Sequence, residues 1–491
     1  MDDQKITKRN VWCFPIGTIG RDMVYVLVSN FLLTYIVFTR ELTNAQLGAI
    51  TAIMVAARIF DALNDPIMGN IIERTRSKWG KFKPWLLAGA ISTTVVIVYL
   101  FNTNLTGWAF ITAFGISYFA FSITYTMNDI AYWGMIPALS RDSHARDTIT
   151  SRATLFAGIG NGLASVAIPI FTAGAMALGG STKSGYGIMS IIIGILAPAF
   201  LVATLLGVKE NRDDMKTAPV PLSMKKIVST LTGNDQLMWI GLCFLIQETG
   251  SCIIAGGIGS TYIYFTYGYR GGLYSTFTLV GMSATALLMI FYPAISKKLG
   301  RMRLMAVLAV ISVIGYGMML VSPLVGTGNA AFWILTLGFM SASFGQYGYY
   351  LIMMISILNT VEYNEYRFGE RAEAIIASLR PFLTKLSSAL VVAITSVTYM
   401  IFGVTSYTNQ ISTFENRAAS GAITEEEKLD AIDQVLSTVD PSQTSGLLWV
   451  MVILSLVLMI ISYLIYRKKY VLDEAEYERI CKELAEKKGN K

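Results

Sequence analysis

Ten ionisable side chains fall inside stretches of this sequence that are otherwise apolar, and any chemistry must start from them. They are Asp22, Asp61, Asp65, Asp129 and Glu248, with Arg21, Arg58, Arg152, Arg380 and Lys385. A charge in a bilayer core costs about 2.5–3.5 kcal/mol even on a lenient scale, so each of these groups must pair, face water or bind something. The densest group is RIFDALNDPIMG at 58–69, where Arg58, Asp61 and Asp65 recur at i, i+3 and i+7 and so share one helical face. With the adjacent Asn64 they offer hard oxygen ligands for a small cation such as Na⁺, and equally good proton acceptors. Pro66 and Gly69 loosen the helix just beyond them. The other reading is an internal Arg58–Asp61 salt bridge that only packs helices, but it leaves Asp65 unneutralised. Arg21 lies beside Asp22 near the start of its helix. The five acids set against the four deeper bases leave about one negative charge, which a bound cation or proton would complete.

A second face is written in ITYTMNDIAYWGMIP at 123–137, where Thr126, Asp129 and Trp133 fall at i, i+3 and i+7. An aspartate accepts hydrogen bonds from vicinal hydroxyls, and a nearby indole offers a flat face to the C–H side of a sugar ring. Tryptophan in a membrane span is more often an interfacial anchor, so this pair is suggestive rather than specific. Arg152 opens another span. Lys385 lies about 15 Å into its span at ~1.5 Å per residue, too deep to snorkel, and requires an acidic partner. Glu248, near mid-depth, is expected to pair with Lys385 or to bind a substrate hydroxyl. Arg380 is shallow enough to snorkel and points away from Lys385.

The elements that must hold these residues follow from composition. The 491 residues are 54% hydrophobic and only 14% charged, with a mean hydropathy of +0.53. This excludes a disordered chain, a coiled coil, a collagen and an ordinary soluble enzyme. Windows long enough to cross a bilayer lie at about 15–38, 45–72, 84–101, 108–137, 151–178, 186–208, 237–267, 272–296, 304–325, 330–360, 375–403 and 445–466. The expected fold is therefore an all-α membrane protein of twelve transmembrane helices in two six-helix halves. The basic residues concentrate in alternate loops, which places both termini in the cytoplasm by the positive-inside rule. No signal-peptide pattern precedes the first span. The expected organisation is an N-terminal half at 1–208, a cytoplasmic middle loop at 209–236, a C-terminal half at 237–467 and a cytoplasmic tail at 468–491. Within the C-terminal half, an extracytoplasmic loop at 404–444 carries Leu429, Ile432, Leu436 and Val439 at helical spacing. A short amphipathic helix is expected there, read as a solvated excursion without a role in transport rather than as a lid over an outside opening. The net charge of +7 belongs to the membrane surface rather than to nucleic acid. The four cysteines and His144 form no zinc or disulfide pattern, no GxxxxGK[ST] is present, and no cofactor is expected.

Together the segments GTIGRD (17–22), RIFDALNDPIMG (58–69), SKWGKFKPW (77–85), YTMNDIAYW (125–133) and FGERAEAIIASLRPFLTK (368–385) resemble the glycoside–pentoside–hexuronide:cation symporter family of the major facilitator superfamily, best known from the melibiose permeases. The resemblance covers essentially all twelve spans. It implies a cation site of Asp61, Asn64, Asp65 and Thr126, with Na⁺ at Asp61 and Asp65 as one option. It also implies a sugar site of Asp22, Asp129, Trp133 and Arg152, with Arg21 in place of a lysine. Lys385 would lie between the two sites, and Arg371 and Glu373 would form a cytoplasmic gate. Two departures from the family stand out: Arg380 replaces a glutamine, and Glu248 replaces an uncharged residue.

The function expected is secondary active uptake of a glycoside or oligosaccharide, driven by Na⁺ or H⁺, by a monomer of the cell inner (plasma) membrane in contact with lipids. A hexuronide or glucuronide symporter and a lysolipid transporter are the alternatives within the superfamily, and a non-transporting sugar receptor is an alternative outside it. An enzyme is not expected, because no nucleophile–base arrangement is present.

Overall fold

The computed structural model describes residues 2–140, 143–210, 224–370 and 372–489, and every regular element among them is helical. The first six long helices are α1 (Asp2–Thr39), α2 (Asn44–Arg74), α3 (Lys83–Asn102), α4 (Gly107–Met135), α5 (Ser143–Thr172) and α6 (Thr182–Gly207). A short helix α7 (Met224–Gly233) leads into α8 (Asp235–Cys252), which passes through a π-turn at Ile254–Ile258 into α9 (Gly259–Tyr267). There follow α10 (Gly271–Leu299), α11 (Arg301–Val321), α12 (Asn329–Phe368), α13 (Glu373–Ile401), α14 (Val404–Ala419), α15 (Glu425–Ser437) and α16 (Pro441–Trp449). The chain then passes through a second π-turn into α17 (Ser455–Lys469) and ends in α18 (Glu474–Gly489). Ten helices among the described residues are long and apolar enough to cross a membrane, and α2 makes an eleventh if it is counted across a 42° bend between its segments. Pro66 lies just past that bend: it lacks the N–H that would bond the carbonyl four residues earlier, and its ring crowds that carbonyl. The remaining expected span is α12, a 40-residue helix with Gln346, Thr360 and Asn364 buried along it.

The contacts divide the chain into two compact units, one of residues 1–221, 263–275 and 395–443, the other of 222–262, 276–394 and 444–491. In the first unit α1 is gripped between α5 and α6. A methyl group on Gly20 would lie 2.4 Å from the Ala197 Cα, and one on Gly160 would lie 2.2 Å from the Ile19 carbonyl oxygen. These two glycines let three backbones approach, and so set the direction in which Arg21 and Asp22 leave α1. On α4, Asn128 Nδ2 donates to the Leu86 carbonyl of α3 at 2.9 Å, and the Tyr132 hydroxyl donates to the Phe14 carbonyl of α1.

The second unit is held by its own buried polar bridges. Gln247 of α8 donates to Gln346 of α12, which donates to the Tyr316 hydroxyl of α11 at 2.8 Å. Ser462 of α17 donates to the Cys243 carbonyl at 2.8 Å. Outside the spans, Glu474 of α18 accepts from the Arg301 main-chain N–H at 2.6 Å and from its guanidinium at 3.1 Å. Burial works against the charge on Glu474, but these bonds hold its carboxyl below the usual range.

The segment 404–443 contains the expected amphipathic helix but is not a solvated excursion. It packs onto the first unit. Asn409 exchanges two hydrogen bonds with the main chain of Leu42, at 2.8 and 2.9 Å, and Asn416 donates to the Thr39 carbonyl at 3.1 Å. On α15 the inward stripe is Lys428, Ile432 and Val435. Lys428 donates to the Gly180 carbonyl at 2.7 Å and lies 3.9 Å from Glu415, and both charged side chains are fully buried. Glu415 also accepts from the Thr182 N–H at 2.6 Å and the Thr182 hydroxyl at 3.1 Å. An apolar-periodicity reading misses this attachment because its anchors are a buried ion pair and asparagine amides.

Burial pushes the Glu415 carboxyl above its usual value of 4.5, against the pull of Lys428 and the Thr182 bonds. A carboxyl whose pKa is raised when docked favours docking most below its free value and loses that contribution as pH rises through the raised one. Lys428→Met leaves the Glu415 carboxylate without its cation, an expected cost of about 3–5 kcal/mol to docking at neutral pH. Limited proteolysis within 404–440 should accelerate accordingly. The effect should be partly relieved at acid pH or by adding Glu415→Gln, and cleavage at the unaltered rate would show that the pair does not hold this segment.

Candidate functional site

The site in the first unit is built on two helices that run in the same direction, α2 and α4. Ser122 donates to Asp61 Oδ1, and one turn further along Thr126 donates to Asp65 Oδ1 at 3.2 Å. Both pairs have the same separation of 61 residues, as expected for parallel helices in register, where i and i+4 on one meet i and i+4 on the other. Arg58 Nη1 approaches Asp61 Oδ2 at 3.7 Å, and Arg58 Nη2 donates to Ser29 of α1 at 3.1 Å. Asn64 Nδ2 is buried at the same place without a hydrogen-bond partner. The structure therefore brings Asp61, Asn64, Asp65 and Thr126 to one stretch of the α2–α4 seam and adds Ser122. Ser122 lies one turn before Thr126 on the same face, a signal available in the sequence once Thr126 is taken as a ligand. The donor set is two carboxylates, an amide and two hydroxyls, the hard-oxygen chemistry of a small cation. The Arg58–Asp61 contact exists, and it offsets one of the two carboxylates.

The second cluster is organised by Arg21. Its Nη2 donates to Asp22 Oδ2 at 2.8 Å, its Nη1 to Asp129 Oδ1 at 3.0 Å, and its guanidinium carbon lies 5.0 Å from the ring centroids of both Tyr132 and Trp133. One buried cation thus ties α1 to α4, with two acids and two aromatic rings around it. Asp22 and Asp129 stay partly accessible, at 17% and 28% side-chain exposure, whereas Arg21 is at 7%. The arginine is the internal strut, and the carboxylates are what a ligand would meet. A cavity of about 20 Å³ beside Arg21, edged by Gly17, Tyr125 and Asn128, has room for a water. On an ideal helix Ser122, Thr126, Asp129 and Trp133 all fall within an arc of roughly 60°.

The model of the family described as "MFS/sugar transport protein" matches residues 13–424. The chain belongs to that family. The lactose permease of Leuconostoc lactis is 28% identical to this chain over 397 residues, covering 77% of it. The chain spans only 60% of that permease's length. The glucuronide carrier protein homolog of Escherichia coli strain K12 is 24% identical over 428 residues, covering 84% of this chain and 87% of its own. Among solved structures, that of a D-xylose-proton symporter superposes with a TM-score of 0.59 at 13% identity, covering 90% of this chain and 99% of its own, and so shares the fold. The protein is a multi-pass membrane protein of the major facilitator fold.

In this family member Arg152, expected at the sugar site, packs against Trp12. Its guanidinium carbon lies 4.0 Å from the Trp12 ring centroid, and its Nη1 is buried without a hydrogen-bond partner. Trp12 precedes Asp22 by about 15 Å along α1 at ~1.5 Å per residue, and it is 59% exposed. Trp12 carries no sequence signal of its own, being one more tryptophan near a helix start. Lys385 is on α13 in the second unit, where its carbonyl accepts from Ser388. Glu373 is exposed in the first turn of α13, and Arg371 lies outside the described residues.

The hub geometry makes a stability prediction. Arg21→Met leaves Asp22 and Asp129 facing each other without their cation, expected to cost about 3–5 kcal/mol. Adding Asp22→Asn and Asp129→Asn should restore part of the loss. Thermal unfolding of the detergent-solubilised variants checks this, and an Arg21→Met variant as stable as the parent would remove Arg21 from its structural role.

Proposed function

We propose that this protein is a secondary active symporter that carries a glycoside or oligosaccharide into the cell, coupled to Na⁺ or H⁺, by alternating access in the cytoplasmic membrane with both termini inside. The observation that carries the reading is the face of α4. Thr126 bonds the α2 carboxylate Asp65, and Asp129, three residues later, is tied to Arg21. A cation drawn to Asp61 and Asp65 pulls on Thr126, and Thr126 and Asp129 are about 4.5 Å apart along one rigid helix. Binding at one seam therefore adjusts the other, the coupling that symport requires. Asp61, Asp65, Asn64 and Thr126 are the cation ligands in this reading, with Ser122 fixing Asp61. Asp22, Asp129 and Trp133 meet the sugar, and Arg21 holds both acids in place. Membership of a sugar-transport family and the relatives' names as permease and carrier support it. Arg371 and Glu373 are assigned to a gate on the cytoplasmic side and Lys385 to the link between cation and sugar, by resemblance.

Asp61→Cys and Asp65→Cys should each abolish gradient-driven accumulation in vesicles while leaving weak sugar binding. Ser122→Ala should retain accumulation but require at least about tenfold more cation, the loss of one hydrogen bond to a charged group being worth about 1.5–3 kcal/mol. Uptake of galactosides, xylosides and glucuronides measured with and without Na⁺ separates sodium from proton coupling. Undiminished accumulation by either aspartate variant would exclude this site as the coupling site.

A further inference from the structure

The second unit holds a polar cluster that the cation and sugar sites above do not use. Arg380 leaves α13 near its start, yet its side chain does not turn toward that end of the helix. Its Nη1 donates to the Tyr350 hydroxyl of α12 at 2.8 Å. Tyr350 lies about 27 Å back from the α12 terminus at ~1.5 Å per residue, so the guanidinium reaches inward rather than snorkelling. Glu248 of α8 lies one turn beyond Phe244, whose ring centroid is 5.7 Å from that of Tyr350, so it shares the face of α8 that meets Tyr350 and Arg380. Among the described residues no ion pair within 4 Å joins Glu248 and Arg380, and no hydrogen bond reaches the Glu248 carboxylate; Ser251 donates to the Glu248 carbonyl oxygen at 3.0 Å. Beside Arg380 the Tyr347 and Tyr350 rings stack with centroids 5.5 Å apart and planes at 25°. All four side chains are exposed or only half-buried.

An acceptor and a donor that stay accessible without bonding each other leave their hydrogen-bonding capacity open to a ligand. A carboxylate acceptor, a guanidinium donor and an aromatic platform together can read the hydroxyls and the apolar face of a sugar ring. Here Glu248 offsets the charge of Arg380, so a ring bearing its own carboxylate meets no surplus cation. We propose that Glu248, Arg380, Tyr347 and Tyr350 form a second hydroxyl-binding subsite for a neutral sugar ring, and that Glu248 is the element that rejects uronates. This rests on the sugar-symport reading.

The subsite carries specificity by a repulsive element, so its loss should be a gain of recognition. In competition uptake with a neutral glycoside and its matching glucuronide, Glu248→Gln should raise the glucuronide-to-neutral preference at least tenfold. Arg380→Gln should weaken neutral binding at least fivefold without that gain, and the double variant should abolish the gain. Where Glu248→Gln is not recovered folded, Glu248→Asp is read instead, with neutral binding weakened fivefold or more and no gain for the glucuronide. A parent protein that accumulates no sugar of either kind overturns the symport reading itself. A parent that transports, with a folded Glu248→Gln or Glu248→Asp variant whose preference and affinity stay within twofold of it, overturns the subsite alone.

Discussion

A guanidinium that cannot be left alone in hydrocarbon organises the first unit. Arg21 is buried in a span, where an isolated cation is prohibitively costly, so it must be met by acids, and the two that meet it come from different helices. That requirement fixes the distance between α1 and α4, turns Asp129 toward α1, and keeps both carboxylates anchored while their outer edges stay accessible. The close approach of α1 to α5 and α6 at Gly20 and Gly160 is the other half of the same constraint, because it leaves Arg21 no alternative direction. The two acids of the cluster are therefore placed by the buried cation between them.

The same logic links the two seams mechanically. Parallel helices keep a constant offset, so Ser122–Asp61 and Thr126–Asp65 form together or not at all. The 42° bend in α2 falls among these residues, where Pro66 has already removed a main-chain bond. A helix weakened at its ligand-bearing turn can change its bend at low cost, and the change would be transmitted through two hydroxyls to the rigid α4 and on to Asp129. A straight α2 would hold the same ligands but have less means of reporting their occupancy.

How much of this is legible in the sequence depends on the range of the interaction. The spans are legible because hydropathy is a local property, and the face shared by Asp61 and Asp65 is legible because i, i+4 periodicity is fixed by helix geometry. The α12 helix is read as a span from its place in the pattern although its buried glutamine and asparagine lower its apolar character. The partner of a given charge is not legible. Arg152 beside Trp12, Arg380 bonded to Tyr350, and Lys428 buried against Glu415 each depend on which helices touch, and that is decided by glycines and amides scattered over hundreds of residues. The segment 404–443 shows the difference most clearly. Its seven acids look like a solvated surface, and most are, but one of them is buried against the only lysine of that segment.

Buried pairs of this kind are poor sources of stability, since replacing them with well-packed apolar residues is often neutral or favourable. Their presence at Arg21, at Arg58–Asp61 and at Lys428–Glu415 therefore calls for a reason other than stability. A pair such as Glu415–Lys428 is satisfied in one arrangement and strongly penalised in any arrangement that separates it without water. It discriminates between conformations more sharply than an apolar contact of the same area, which weakens gradually as it opens. A carrier that must occupy distinct states, with few intermediates that leak, gains from contacts that are either fully made or fully solvated. Arg21 with its two acids is such a contact inside the membrane, and Glu415 with Lys428 and Thr182 is such a contact outside it. Glu248 and Arg380, held apart, are the exception that points to a ligand rather than to a lock.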